Sequence, residues 1–202
     1  MKKKLAILVI SLIIIIISGI RAHGNWESAL YNTDISTSAY ENIGEMHDNM
    51  VIRQGFYSKS NGLSGFSIKV ATYDRANNSQ LIYRVRDEET GQTVVEGIIN
   101  TEDLKDNSFN EISFSKISNS RNKNYVLEIQ DDNAAAGNGI AFFKTAAGNL
   151  SQSLMVNDEE IVDQALVIKV ITNRFNIEYF IVFIALIVYI ILFIKLLNKF
   201  LK

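Results

Sequence analysis

The sequence contains neither cysteine nor proline among its 202 residues. Without cysteine the chain has no disulfide bond, no thiol nucleophile and no thiolate ligand for a metal. A region of about 150 residues can bury enough apolar surface to fold without disulfides, so their absence does not argue against export. The only two histidines, His23 and His47, adjoin neither a nucleophile nor a set of metal ligands. We therefore predict that the protein is not an enzyme.

Long uncharged apolar segments lie at both ends of the chain, at 5–20 and 179–194. Apolar helices of this kind are typical of membrane spans, because a helix satisfies its own backbone hydrogen bonds in lipid. We predict transmembrane helices at 5–21, a signal-anchor, and at 177–197. The first is short, since its uncharged part covers roughly 24 Å of a hydrocarbon layer of roughly 30 Å. Its alternative is a secretory signal cleaved near Ala22-His23-Gly24.

Lysines flank the outer end of each apolar segment: Lys2, Lys3, Lys4, Lys195, Lys199 and Lys202. The positive-inside rule places such ends in the cytoplasm, which predicts cytoplasmic tails at 1–4 and 198–202 and an extracellular domain between the helices. Removing these six lysines from the net charge of −2 leaves −8 on the rest of the chain, which argues against nucleic acid as a partner. Frequent Ile, Asn and Lys are typical of an AT-rich bacterial genome. We predict a two-pass bacterial cell-membrane protein that contacts membrane lipid.

Between residues 50 and 173 the apolar residues recur with a period of two, which indicates antiparallel strands with one buried face. Turn-forming residues separate about nine such segments, at 51–56, 66–72, 81–86, 93–100, 110–117, 125–129, 140–144, 153–156 and 164–172. This pattern predicts a mainly β fold, a β-sandwich over 50–173. Residues 22–49 show weak periodicity, and we predict a membrane-proximal linker there.

One stretch of the sequence resembles a known family. Residues 65–77 read GFSIKVATYDRAN, and similar wording continues at 104–107 (LKDN), 114–117 (FSKI), 125–129 (YVLEI) and 137–140 (GNGI). These motifs resemble the jelly-roll, galactose-binding-like accessory ectodomain of bacterial membrane glycosyltransferases and cell-surface polysaccharide assembly proteins. The resemblance covers residues 54–140 and implies a jelly-roll-like sandwich outside the membrane. It implies no catalytic residue, because the polytopic catalytic portion of those enzymes has no counterpart here.

Sugar binding requires an aromatic side chain that stacks on a pyranose ring, together with hydrogen-bonding neighbours. The sequence offers such a set in the loop after the second predicted strand and on the polar face of the next strand: Tyr73, Arg75, Asn77, Asn78, Arg84 and Arg86. The alternative is that Tyr73 packs at the sandwich edge, that Arg75 pairs with an acid, and that the strand face is merely solvated.

Calcium takes oxygen ligands from carboxylates, amides and loop carbonyls. One loop carries a cluster of these groups: Asp131, Asp132, Asn133 and Asn138. No EF-hand spacing is present, and ordinary turn chemistry also accounts for such residues. We predict no cofactor, with a structural calcium ion as the alternative.

These observations lead to one functional prediction. The chain is a non-enzymatic, membrane-anchored extracellular β-sandwich protein that is accessory to cell-surface glycan assembly. It would either bind cell-surface glycan or dock on a multi-pass glycosyltransferase or flippase. The alternative is a structural or protein-interaction membrane subunit that makes no glycan contact.

Overall fold

The computed structural model describes residues 2–47, 49–132 and 134–201. These residues form two α-helices and thirteen β-strands. The helices are α1 (Lys2–Ala22) and α2 (Ile177–Phe200). The strands are β1 (His23–Ala29), β2 (Glu41–Glu45), β3 (Val51–Ser58), β4 (Leu63–Ala71), β5 (Gln80–Asp87), β6 (Thr93–Asn100), β7 (Ser108–Ile117), β8 (Lys123–Asp132), β9 (Ala141–Ala146), β10 (Ser151–Val156), β11 (Glu159–Glu160), β12 (Gln164–Leu166) and β13 (Ile168–Phe175). The chain divides into two compact units, the first comprising Met1–Trp26 with Asn173–Lys202 and the second Glu27–Thr172.

The first unit contains both helices, which pack against each other. Helix α2 begins after Asn176, whose side chain accepts a hydrogen bond from the backbone N–H of Tyr179 at 3.0 Å and so caps the helix. Glu178 in the first turn and Lys199 in the last turn complement the helix dipole. The indole ring of Trp26 lies 4.9 Å from the ring of Tyr179.

Among the described residues, α2 alone is long and apolar enough to cross a membrane. None of its residues is buried, which distinguishes it from the core helix of a soluble domain. Within α1 the described residues give only a shorter apolar helix, Val9–Ala22. The prediction of two transmembrane helices is therefore corrected to one C-terminal helix, because the N-terminal segment has too few consecutive apolar residues for the hydrocarbon thickness.

The second unit is built from two antiparallel sheets. The first sheet has the strand order β1-β13-β4-β9-β12, with β2 also paired to β9 and β7 also paired to β4. The second sheet has the order β11-β10-β3-β8-β5-β6. One hydrophobic core contains side chains of both sheets, and the rings of Phe56 in β3 and Phe66 in β4 meet edge to face at 5.6 Å. The mainly β prediction is confirmed, with two sheets arranged as in a sandwich.

The strand predictions differ from the structure in three places, one of which is the two-residue strand β11, where no strand was predicted. Residues 22–49, predicted to be a linker, contain β1, β2 and a short 3-10 turn at Thr37–Ala39, and they bury Leu30 and Met46 completely. The segment predicted as one strand at 164–172 divides into β12, which pairs with β9, and β13, which pairs with β4. Polar side chains on the exposed faces of β1 and β2 conceal the alternation that marks the other strands.

A buried glutamine connects the two sheets. Gln54 in β3 is fully buried, and its Oε1 accepts a hydrogen bond of 2.8 Å from the backbone N–H of Leu166 in β12 of the opposite sheet. Its Nε2 donates to the carbonyl of Gly55 at 2.8 Å, and the hydroxyl of Ser151 and the carbonyl of Ser153 lie 2.9 Å away. A buried amide is tolerated in an apolar core only when it is hydrogen-bonded in this way.

The Gln54→Leu variant should therefore lose stability. The substitution keeps the volume but leaves the N–H of Leu166 buried without its acceptor, so we expect the free energy of unfolding to fall by about 2–3 kcal/mol. Denaturant unfolding of the full chain in detergent micelles measures this difference. Gln92→Leu, at an exposed position in a turn, is the control and should change the value by less than about 0.5 kcal/mol. Equal effects of the two variants would contradict the role assigned to Gln54.

Candidate functional site

The loop between β4 and β5 is held by a carboxylate. Tyr73 and Asp74 have left-handed backbone conformations, with φ of 59° and 51°. The N–H groups of Thr72 and Tyr73 donate to Oδ1 of Asp106 at 2.5 and 2.9 Å. Desolvation alone would raise the pKa of Asp106, but the hydrogen bonds from Thr72 and Tyr73 outweigh it and lower that pKa. The charged carboxylate therefore fixes a loop conformation that these residue types otherwise rarely adopt.

Arg75 joins this loop to β2 and to the start of β9. Its guanidinium lies over the ring of Tyr73, 4.7 Å from the centroid. It forms an ion pair with Glu45 and donates to the carbonyl of Gly139 at 2.8 Å, while Glu45 accepts from the N–H of Gly139 at 2.8 Å. The phenol oxygen of Tyr73 accepts from the side-chain amide of Asn42 at 2.9 Å. Arg75 is thus engaged within the protein, as the alternative prediction of pairing with an acid anticipated.

The two asparagines of the loop have different environments. Asn77 is buried and donates to the carbonyl of Thr72 at 3.1 Å, so it supports the loop from inside. Asn78 is exposed, and its side chain hydrogen-bonds the side chain of Asn138, which lies 60 residues further along the chain. Asn78, predicted to bind sugar, and Asn138, predicted to bind calcium, are therefore in direct contact.

These two asparagines form part of the lining of an open cavity of about 410 Å³. The lining is mainly polar and comes from the β4–β5 loop with the start of β5 and from the end of β8 with the loop that follows: Asn78, Ser79, Gln80, Asp132, Ala134, Ala135 and Asn138. Amide groups donate and accept hydrogen bonds, and the carboxylate accepts them. Tyr73 and Arg75 do not line this cavity. The arrangement suits a polar ligand that both donates and accepts hydrogen bonds.

The predicted calcium residues occupy different environments. Asp131 is buried, and its carboxylate accepts hydrogen bonds from the N–H groups of Ala134 and Asn49. Burial raises its pKa. Asp132 and Asn138 line the cavity, and Asn133 lies outside the described residues. The described part of the chain contains no group of three or more His, Cys, Asp or Glu side chains that could hold a metal ion. Calcium binding stays a prediction.

Arg84 and Arg86 lie on the outer face of the second sheet and do not line the cavity. Three arginines surround one nearly buried carboxylate there: Glu128 contacts Arg53 at 2.8 Å, Arg84 at 3.2 Å and Arg86 at 3.1 Å. Although desolvation alone would raise the pKa of Glu128, hydrogen bonds from Arg53 and Arg84 lower it. Arg84 also pairs with Glu96 on β6 at 3.1 Å. The predicted sugar-binding set is thus divided between two places.

Several residues that hold the β4–β5 loop in place could not be identified from the sequence. Asp106, Glu45 and Asn42 are single polar residues that lie 30 or more positions from their partners in the β4–β5 loop. Only the folded chain brings them there. No protein-family model matches the chain, and no curated protein matches it. The resemblance to jelly-roll accessory ectodomains therefore stays a prediction.

The Glu128 cluster predicts an acid-dependent stability. Because the pKa of Glu128 in the folded state lies below its ordinary value of 4.5, the folded state prefers the carboxylate, and the stabilisation is present above about pH 4.5 and is lost as pH falls below it. Glu128→Gln should lower the free energy of unfolding by about 2 kcal/mol at neutral pH, since three arginines lose their counter-charge. The difference from the unsubstituted chain should shrink toward pH 3, because Glu128 of the unsubstituted chain then becomes protonated and loses its charge as well.

Denaturant unfolding of the full chain across this pH range measures the effect. Glu96→Gln is the control, because its carboxylate is largely exposed and contacts only one of the same arginines; we expect less than about 0.5 kcal/mol from it. A difference between Glu128→Gln and the unsubstituted chain that does not vary with pH would exclude the electrostatic role of Glu128.

Proposed function

We propose that this protein is a membrane-anchored binding module without catalytic function, and that the cavity beside Asn78 and Asn138 receives a hydroxyl-rich ligand, a glycan of the bacterial cell surface. The observation that carries the proposal is the pairing of these two side chains from distant loops at the rim of a polar cavity. Hydroxyl groups of a sugar both donate and accept hydrogen bonds, as the cavity-lining amides of Asn78, Gln80 and Asn138 do.

The rigidity of the surrounding loops supports recognition. Asp106 holds the β4–β5 loop, while Glu45 and Arg75 hold Gly139, the residue after Asn138. Preformed binding groups lose less conformational entropy when a ligand binds. An open polar cavity of this kind is expected to bind one sugar unit weakly. A glycan polymer presents the same unit many times, so avidity would raise the overall affinity.

Helix α2 supports the membrane part of the proposal. Its exposed apolar surface needs lipid around it, and Lys195 and Lys199 near its C-terminal end favour a cytoplasmic location for that end. The sandwich would then lie at the extracellular face of a bacterial cell membrane. The jelly-roll resemblance points to an accessory role in cell-surface polysaccharide assembly, where the module would hold glycan near a multi-pass glycosyltransferase or flippase.

A glycan array probed with the full chain in detergent micelles tests the proposal. We expect retention of particular bacterial surface glycans by the unsubstituted chain. Asn138→Ala removes the side-chain amide, which both donates and accepts hydrogen bonds, so we expect about 1 kcal/mol of lost binding free energy, or roughly fivefold weaker binding.

The matched control is Asn25→Ala, which breaks another exposed asparagine pair, with Asn173 at 2.8 Å, outside the cavity. It should bind as the unsubstituted chain does. Failure of the chain to bind any glycan, or equal binding by Asn138→Ala, would refute the glycan proposal and favour the protein-interaction subunit. Co-purification of a multi-pass membrane protein that still occurs after the sandwich is deleted would favour that alternative directly.

A further inference from the structure

Strand β6 is an edge strand with little of the usual protection: it has no lysine or proline, and its one irregularity is a register shift at Val94, near its start. In the described part of the chain the edge strands are β1, β2, β7 and β12 in the first sheet and β6 and β11 in the second. Strand β11 consists of two glutamates and β12 has three residues. Strands β2 and β7 carry two charged side chains each, and β1 carries Glu27 among mostly polar residues. Strand β6 has eight residues, TVVEGIIN, with Glu96 as its one charge. Proteins normally protect such an edge with lysine, proline or short length.

The backbone of β6 offers hydrogen-bonding groups on its open side. The N–H of Thr101, just after the strand, donates to the carbonyl of Ser79 at 3.1 Å. Hydrogen-bonded pairs alternate along an antiparallel ladder, so the Thr101–Ser79 pair implies that Gly97, four residues earlier, also bonds to β5. The backbone groups of Glu96 and Ile98 therefore point away from β5. In the described part of the chain no further strand pairs with β6.

Apolar side chains are exposed on the same strand. Among the described residues of the second unit, five large hydrophobic side chains are exposed: Tyr73, Val94, Ile98, Phe109 and Val162. Strand β6 contributes Val94, which is 41% exposed, and Ile98, which is 61% exposed. Ile98 also lies opposite Ile82 of β5 on the outer face of the sheet. Unpaired backbone and exposed aliphatic side chains therefore coincide at one edge.

The charge balance of this edge indicates which partner fits. The carboxylate of Glu96 is neutralised by Arg84 at 3.1 Å, so the edge presents no net charge to steer a charged partner toward it. A neutral, aliphatic strand is the complement of such an edge, and β6 of a second copy is one. We propose that the chain forms a homodimer in which β6 of one copy pairs antiparallel with β6 of the other, so that the two second sheets become continuous.

The register follows from the alternation of the backbone groups. Residues that direct their groups outward must pair with each other, which leaves two registers of equal overlap on β6. The overlap of 93–99 places Glu96 opposite Glu96 of the second copy, where the like charges repel. The overlap of 94–100 places Gly97 opposite Gly97 and is favoured. Glu96 then lies opposite Ile98, and Val95 opposite Ile99, so no two glutamates are directly opposed. Glycine suits the centre, because at a pair without hydrogen bonds the Cα atoms approach most closely.

The mass of the full chain in detergent micelles, measured by sedimentation equilibrium at high micromolar concentration, tests the dimer. We expect twice the mass of one chain. Combined substitution of Val94→Lys and Ile98→Lys should halve that mass, because the two lysines charge the edge. The control is Val162→Lys at another exposed position, 70% accessible, and it should stay dimeric. Circular dichroism checks that each variant is folded.

A monomeric unsubstituted chain overturns the proposal, and so does a dimer that persists with both lysines, since it would associate elsewhere, as through α2. The register has its own test, because the chain lacks cysteine. Differently tagged Glu96→Cys and Ile98→Cys chains are mixed under oxidising conditions. Opposed residues in a hydrogen-bonded pair have Cα atoms about 5.5 Å apart, within the range of a disulfide. Random pairing of equal amounts would give about twice as much mixed disulfide as either symmetric product, so we expect the mixed product to exceed that ratio clearly. A ratio of about two or less would refute this register.

Discussion

The need to satisfy every buried polar group determines how the two sheets meet. Gln54 places an amide in the apolar core, and the N–H of Leu166 in the opposite sheet donates to its carbonyl oxygen. Aromatic packing across the core, as between Phe56 and Phe66, is tolerant of small shifts, whereas a buried hydrogen bond is directional. The glutamine therefore fixes the position of β3 relative to β12. The positions of the loops that connect the strands of the two sheets depend on it.

The β4–β5 loop and the segment around Gly139 are held mostly by polar contacts between residues far apart in the sequence. Asp106 stabilises an unusual backbone conformation at Tyr73, and Arg75 with Glu45 holds Gly139. The charged groups of Asp106, Arg75 and Glu45 are therefore engaged in contacts within the protein. The amides of Asn78, Gln80 and Asn138 line the cavity together with the carboxylate of Asp132. Arg75 is close to the cavity in sequence, but its guanidinium holds the loops and does not line the cavity.

The period-two pattern predicted the central strands well, because a strand with one buried face alternates in any environment. Strand β6 has the predicted bounds, 93–100, while β1 and β2 were missed since their side chains are largely polar. The long apolar helix at the C-terminus was predicted by composition alone. The site was predictable only in part: the sequence identified the Tyr73–Asn78 loop and the 131–138 loop as separate candidates. Their meeting through Asn78 and Asn138 depends on sheet topology, which no local pattern encodes.

The outer face of the second sheet constrains how this sequence can change over evolution. Glu128 is the shared counter-ion of Arg53, Arg84 and Arg86, so a neutral residue at position 128 would leave an excess of positive charge on that face. Homologues that lack an acid there should also lack at least one of the arginines. The four positions would then covary as a group, because natural selection acts on the charge balance of the whole cluster and not on any one of its members.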